Sequence, residues 1–280
     1  MKYFWLFCIL ILVACAAPMV VSRQTYTYYL PIVGTPKVGA LKGITLATQQ
    51  DAEMLGAQWT YQYYPSVSDY GAIDNVPMVR DAVQWSQIKA KKIAVSPNPY
   101  LLTINEPDQC PEQACLNPEE GARLWVEIEL MFPDRKLVTP APSHLRLEWL
   151  VRFYASFYAQ YNRLPRVDVI AAHCYLWSAQ ECINYLEQVK QITRAYGVSE
   201  IWVTEFGFSP CETRSLNDTA REITAFVNWM KADSMITRYA WFTTRVPANA
   251  SWVGVQYWCA SPGLIDLDVL TFFGTVFKGF

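Results

Sequence analysis

The chain has 280 residues, 52% of them hydrophobic and 17% charged, with 11 Trp and 17 Tyr. That is enough chain for one large core, in the size range of α/β barrels, which fold as a unit at about 250 residues. A formal charge of −2 gives no electrostatic basis for binding nucleic acid or an anionic membrane surface.

Lys2 precedes the apolar run Tyr3–Val13, too short to span a bilayer and suited to the apolar region of an export signal. It ends in LVAC (Leu12–Cys15), the pattern of a bacterial lipobox, so residues 1–15 are expected to form a signal peptide with Cys15 as the lipidated residue. Cleavage after Ala16 as a plain secretory peptide is the alternative. In either case the mature chain works outside the cytoplasm, as a surface or periplasmic-side lipoprotein or in secreted form. Its only expected membrane contact is the lipid. Residues 16–40, with Pro18, Pro31 and Pro36 and little periodicity, are expected to be a tether.

From Leu41 to Phe280 strand-like and helix-like segments alternate, the signature of βαβ units. Predicted strands are Leu41–Ala47, Trp59–Tyr64, Asn75–Val79 and Leu101–Asn105. A helix follows, with Asn117 as cap, Pro118 in its first turn and Glu119 and Glu120 at its positive end. The fifth strand is Lys136–Pro140, followed by an aromatic-rich helix, Leu147–Tyr161. Val167–His173 is the sixth, then a helix around Ile183, Leu186 and Val189. Glu200–Glu205 is the seventh, and its helix carries Ala220, Ile223, Phe226 and Met230 on one face. Arg238–Phe242 is the eighth. Eight strands with intervening helices imply a compact (β/α)8 TIM barrel, with short early helices, and the chain is expected to act as a monomer.

Six cysteines remain in the mature chain besides Cys15: Cys110, Cys115, Cys174, Cys182, Cys211 and Cys259. An even number in an oxidising compartment reads as disulfides, with fifteen connectivities open. Proximity in sequence favours Cys110–Cys115 and Cys174–Cys182, leaving Cys211–Cys259. All six are expected in loops past strand ends on one face. No CxxC pair or histidine sits at zinc-ligand spacing.

In such barrels chemistry collects where the strands end. Glu106 in LLTINEPD and Glu205 in IWVTEFGF fall at two such ends. Two carboxyls are what glycosidic hydrolysis needs, one to protonate the leaving oxygen and one to attack or support the anomeric carbon. Asn105, His144, His173, Tyr175, Trp177 and Trp241 are the accompanying candidates for holding a polysaccharide substrate, Trp241 as a floor under the reacting sugar. Trp59, Tyr61, Tyr63, Tyr64 and Trp85 are looser candidates for flanking subsites. The plain alternatives are a simple turn at Asn105–Asp108 and a salt bridge from Glu205 to Arg80 or Arg245.

The ordered strings VPM (Val76–Met78), INEPD (Ile104–Asp108), VTPAP (Val138–Pro142), DVIAAHCY (Asp168–Tyr175) and IWVTEFG (Ile201–Gly207) resemble clan A glycoside hydrolases. The resemblance is to glycoside hydrolase family 128, the Asl1-like group, from about Gly39 to Phe280, and LIDLDVLTFFGTVF (Leu264–Phe277) is similar to the end of such domains. It implies Glu106 as acid/base, Glu205 as nucleophile and Asn105 on the hydroxyl beside the reacting carbon. Retention through a glycosyl-enzyme, carboxyls about 5–5.5 Å apart, Glu106 held protonated and Glu205 ionised are implied as well. His173 and Tyr175 would donate towards Glu205. No cofactor or metal is implied. The substrate would be β-1,3-glucan, attacked by endo action. Arg80-Asp81 after VPMV departs from the family pattern. A clan A hydrolase of another β-linked polysaccharide, or a non-catalytic lipid-anchored glycan-binding protein, are the competing readings.

Overall fold

Runs that are apolar on both faces become the parallel staves of a barrel, because each stave is covered inside by its neighbours and outside by helices. The computed structural model describes residues 39–143, 146–208, 214–246 and 263–280. The export segment with Cys15, nearly all of the tether, His144 and the proposed Cys211–Cys259 pair lie outside these residues.

The elements in order are β1 (Leu41–Thr45), α1 (Gln49–Leu55), β2 (Trp59–Tyr61), β3 (Asp74–Val76), β4 (Met78–Val79) and α2 (Ala82–Lys89). Then come β5 (Tyr100–Thr103), α3 (Pro118–Met131), β6 (Lys136–Leu137), α4 (Leu147–Tyr161), β7 (Ile170–Cys174) and α5 (Ala179–Ala195). The last are β8 (Ile201–Phe206), α6 (Leu216–Ala232), β9 (Ile236–Trp241), a small hairpin β10 (Ile265–Asp266) and β11 (Val269–Leu270), and α7 (Phe272–Lys278).

Parallel pairing runs β3-β2-β1-β9-β8-β7 and β4-β5-β6. A parallel bridge between Val138 and Val169 joins β6 to β7. At the other junction Pro77 splits the third stave into β3 and β4, since it has no N–H to give the ladder. Its carbonyl still accepts from Leu102 N at 3.0 Å. Eight staves therefore form the (β/α)8 barrel, with α1 and α2 short and no helix between β2 and β3 among the described residues.

The helices form where their ends are satisfied. Asn117 Oδ1 accepts from Glu120 N at 2.8 Å and Glu120 Oε2 accepts from Asn117 N at 2.9 Å, a reciprocal box that starts α3. Ser178 and Ser215 cap α5 and α6 in the same way, on one side only. Around the barrel, Trp125, Phe153, Phe157, Phe226 and Met230 seal helices to the outer strand faces. Inside it, Trp59, Tyr61, Met78, Leu102, Val169 and Trp202 make a second core. Gly43 on β1 leaves room for the Trp59 indole, which a Cβ there would strike.

At the N-terminal end of the barrel, Arg238 pairs with Asp74 at 2.7 Å. Its guanidinium lies 4.1 Å from the Trp202 ring centre, 4.9 Å from Tyr100 and 5.4 Å from Trp59. A cation closed in by three rings and a carboxylate forms a plug on the side away from the strand ends.

Disulfides join Cys110 to Cys115 and Cys174 to Cys182. The expectation that all six cysteines sit in loops is corrected for two of them. Cys174 is the last residue of β7, and Cys182 lies inside α5. The second bridge therefore clamps a stave to its own helix across the turn that carries Tyr175 and Trp177.

Candidate active site

Glu106 and Glu205 arrive at one point from distant parts of the chain. The backbone after β5 is strained: Ile104 and Glu106 have φ of 31° and 38°. That region costs a non-glycine residue on the order of 1–3 kcal/mol. Neighbouring staves hold it there. Ile104 N donates to Val79 O (2.8 Å), Asn105 N to Arg80 O (2.9 Å) and Glu106 N to Ala141 O (2.9 Å). Asp108 accepts from Ser143 N at 2.8 Å, tying this loop to the one after β6. The segment is thus more than a simple turn.

Glu205 is the next-to-last residue of β8, a strand buried along its length. Register shifts relative to β7 and β9 fall beside it, between Ala172 and His173 and between Val203 and Phe206. Such bulges re-aim side chains at a barrel rim. Only 4% of Glu205 is exposed. Its Oε1 accepts from Tyr61 Oη at 3.0 Å and Tyr63 Oη at 2.5 Å, and its Oε2 from Tyr175 Oη at 2.5 Å. Tyr63 also has a left-handed backbone, φ 58°. His173 Nδ1 lies 3.0 Å from Glu106 Oε1 and 3.4 Å from Glu205 Oε2.

Burial pushes all three phenols well above their usual 10, and the Glu205 carboxylate adds to it. They stay donors at neutral pH. For His173, burial works against the imidazolium, but the Glu205 charge and the bond to Glu106 outweigh it and raise its pKa. Glu205 feels opposing influences that leave its pKa raised. Burial raises its pKa, His173 opposes the rise, Glu106 adds to it, and the bonds from Tyr175 and Tyr63 again oppose it.

Linkage gives this a sign. A group that binds its proton more tightly folded than unfolded loses stability as pH rises from its unfolded to its folded pKa. For Glu205 that loss begins above 4.5 and for His173 above 6.5. The melting temperature of the wild type is therefore expected to fall above pH 6.5 more steeply than that of His173→Gln. Parallel melting curves across a buffer series check this, and equal slopes would contradict it.

Oxygen atoms of Glu106 and Glu205 and a nitrogen of His173 lie within 4.8 Å of one another, a set that has the geometry to ligate a divalent cation. The chemistry points elsewhere. Both Glu205 oxygens already face phenol hydrogens, and His173 Nδ1 is within hydrogen-bond distance of Glu106. Those contacts already engage the lone pairs that a cation would need.

The other sequence candidates divide. Tyr175 meets Glu205 as expected, and His173 does so while bonding more closely to Glu106. Tyr61 and Tyr63 turn out to support Glu205 directly. Trp59 is inside the barrel, and Trp85 packs between helices, donating to Glu127 Oε2 at 2.7 Å. Trp177 is 62% exposed on the turn after β7 and makes no hydrogen bond to the carboxyl cluster among the described residues. Trp241 corrects the expected sugar floor. It is fully buried in the layer between barrel and helices, against Phe206 and Phe277 at 5.3 and 5.8 Å. The next residue, Phe242, is the aromatic at the site, edge-on to Tyr175 at 6.0 Å. Neither proposed arginine pairs with Glu205. Arg245 binds Asp51 (2.7 Å) and Asp268 (2.8 Å), and Arg80 bonds to Gln113 (2.9 Å) and approaches Asp81.

A (β/α)8 barrel with a carboxyl pair at its strand ends defines the glycoside hydrolase class of architecture. The chain belongs to the family described as glycosyl hydrolase catalytic core, which it matches over residues 40–260, in keeping with the resemblance to family 128. Among solved structures it is similar to a family 128 subgroup II endo-β-1,3-glucanase from Pseudomonas viridiflava. Identity is 27% and the TM-score 0.67, over 86% of this chain and 97% of that one. It is also similar to a subgroup III curdlan-specific exo-β-1,3-glucanase from Blastomyces gilchristii in complex with glucose (20%, TM-score 0.66, 86% and 98%). A third is a subgroup I endo-β-1,3-glucanase from Amycolatopsis mediterranei in complex with laminaripentaose (22%, TM-score 0.66, 86% and 99%). No curated protein matches the sequence.

Proposed function

We propose that this protein hydrolyses β-1,3-glucan, by endo action and with retention of configuration, outside the cytoplasm as its leading segment implies. Glu106 is the general acid and base, Glu205 the nucleophile, and Asn105 holds the hydroxyl beside the reacting carbon. The observation that carries the reading is the carboxyl pair, with oxygens within 4.8 Å. Retaining enzymes hold their carboxyls about 5–5.5 Å apart, whereas inverting ones leave about 6.5–9.5 Å for a water. The short separation supports retention. The activities of the related enzymes support the linkage, and the Pseudomonas relative supports endo action.

The chemistry follows from the contacts. Glu205 attacks the anomeric carbon as Glu106 protonates the departing oxygen. The phenols of Tyr61, Tyr63 and Tyr175 steer the Glu205 oxygens and hold their charge until attack. Forming the ester consumes that charge. Glu106 then takes a proton from a water that attacks the same carbon, and Glu205 leaves. His173, with Nδ1 3.0 Å from Glu106 and 3.4 Å from Glu205, keeps the two carboxyls in register.

The test is a glycan panel of laminarin, curdlan, mannan, xylan and cellulose. The expected result is cleavage of the first two alone, laminarihexaose giving products of intermediate length and proton NMR finding the β-anomer first. Glucose as sole product would move the action to exo. The α-anomer first would reject retention, and cleavage of another glycan would correct the substrate. Binding without products would make the protein a glycan-binding module.

A further inference from the structure

Asn105 is buried, and its Oδ1 has no hydrogen-bond partner among the described residues. The orientation of its carboxamide is therefore set from the other side, where Nδ2 donates to Gln113 Oε1 at 3.2 Å. The same Gln113 oxygen accepts from Arg80 Nη2 at 2.9 Å. A guanidinium has only donors to offer, so Gln113 must turn its oxygen towards Arg80. That oxygen in turn accepts only a hydrogen, so Asn105 must turn its NH2 group towards Gln113. A flip of either amide would set oxygen against oxygen or hydrogen against hydrogen.

We propose that Arg80 and Gln113 are positioning residues that fix the carboxamide of Asn105 for the substrate hydroxyl. The proposal rests on the functional reading in which Asn105 makes that contact. It also gives a use to Arg80, the residue that departs from the family pattern in sequence. The backbone supports the arrangement. Arg80 O accepts from Asn105 N at 2.9 Å, and Ala114 N donates to Asn105 O at 3.2 Å. The loop that carries Gln113 is closed by the Cys110–Cys115 bridge. Arg80 Nη2 also reaches Glu112 O at 3.2 Å in this loop. The three side chains therefore come from the strand ends and loop that frame Glu106, and none is free to drift.

A contact that strengthens in the transition state should act on kcat more than on KM. Gln113→Glu keeps an oxygen for both Arg80 and Asn105, whereas Gln113→Met keeps the bulk and loses the acceptor. With laminarin, Gln113→Met is expected to lower kcat about tenfold with KM within about twofold, while Gln113→Glu stays within about twofold on both. Arg80→Met, which frees Gln113 to flip, should fall in the same direction as Gln113→Met, and Arg80→Lys should restore most of the loss. Equal kcat for the Met and Glu variants, or a loss confined to KM, would overturn the proposal. A second readout needs no substrate. One side-chain amide proton of Asn105 should exchange slowly by NMR in the wild type and quickly in Gln113→Met. If the wild type leaves laminarin intact while that protection is present, the functional reading fails and the amide relay stands. If the protection is missing, the relay fails whatever the activity.

Discussion

Replacing Glu205 by Gln is expected to lower kcat by at least about 10⁴-fold on both laminarin and an activated aryl glycoside, because no nucleophile remains for either. The carboxamide has nearly the same shape, so the three phenols and the fold stay in place and the loss is chemical. Glu106→Gln should behave differently. On laminarin the loss of the acid is expected to cost about 10²–10⁴-fold. A dinitrophenyl leaving group needs no proton, so with that substrate the first step stays fast. Water then attacks slowly, without a base. The expected signature is a burst of dinitrophenol equal to the enzyme, followed by a slow steady rate. Intact mass should rise by the glycosyl group, carried on Glu205. Two variants equally inactive on the aryl substrate would break the assignment of separate roles. A burst from Glu205→Gln instead would reverse it.

The barrel was legible because its signals are local. Strand-length apolar runs between helical periodicities place all eight staves, and Asn117, Pro118 and Glu120 mark the start of α3. The split of the third stave at Pro77 is also a local signal, since a proline inside an apolar run interrupts the ladder. The two glutamates were legible because strand ends are where such barrels do chemistry. Their support was not. Tyr61 and Tyr63 share a face at alternate positions, but their contacts with Glu205 span 144 and 142 residues, and no local pattern encodes that. The facing of Trp241 is hidden in the sequence for a physical reason. In a strand buried on both faces, apolar residues do not alternate with polar ones, so parity is hidden. Ala240 faces the barrel and Trp241 the helices, which leaves Phe242 at the site. Direction of titration was also beyond the sequence, because burial of Glu205 depends on staves it does not adjoin in the chain.

Trp202→Ala should separate what holds the barrel from what does the chemistry. Trp202 is fully buried near the start of β8, at the end of the barrel opposite Glu205. It packs on Tyr100 at 4.8 Å and Trp59 at 5.4 Å, and its Nε1 donates to Glu200 at 2.8 Å. Truncation leaves a cavity, for which Trp→Ala changes cost about 3–5 kcal/mol. It also removes the nearest of the three rings around the Arg238 cation, a contact worth up to about 2 kcal/mol when desolvated. At about 2–4 °C per kcal/mol for a domain of this size, the melting temperature should fall by roughly 10 °C or more. Trp202→Phe keeps a ring against Arg238 and should lose much less. Both folded variants should keep the wild-type kcat on laminarin, because Arg238 and its rings touch none of Glu106, His173 or Glu205. Thermal unfolding alongside initial rates reads both quantities from one preparation. A fall in kcat at temperatures where the variant is fully folded would mean that the plug and the carboxyl pair are mechanically coupled through β8, whose two ends carry one each.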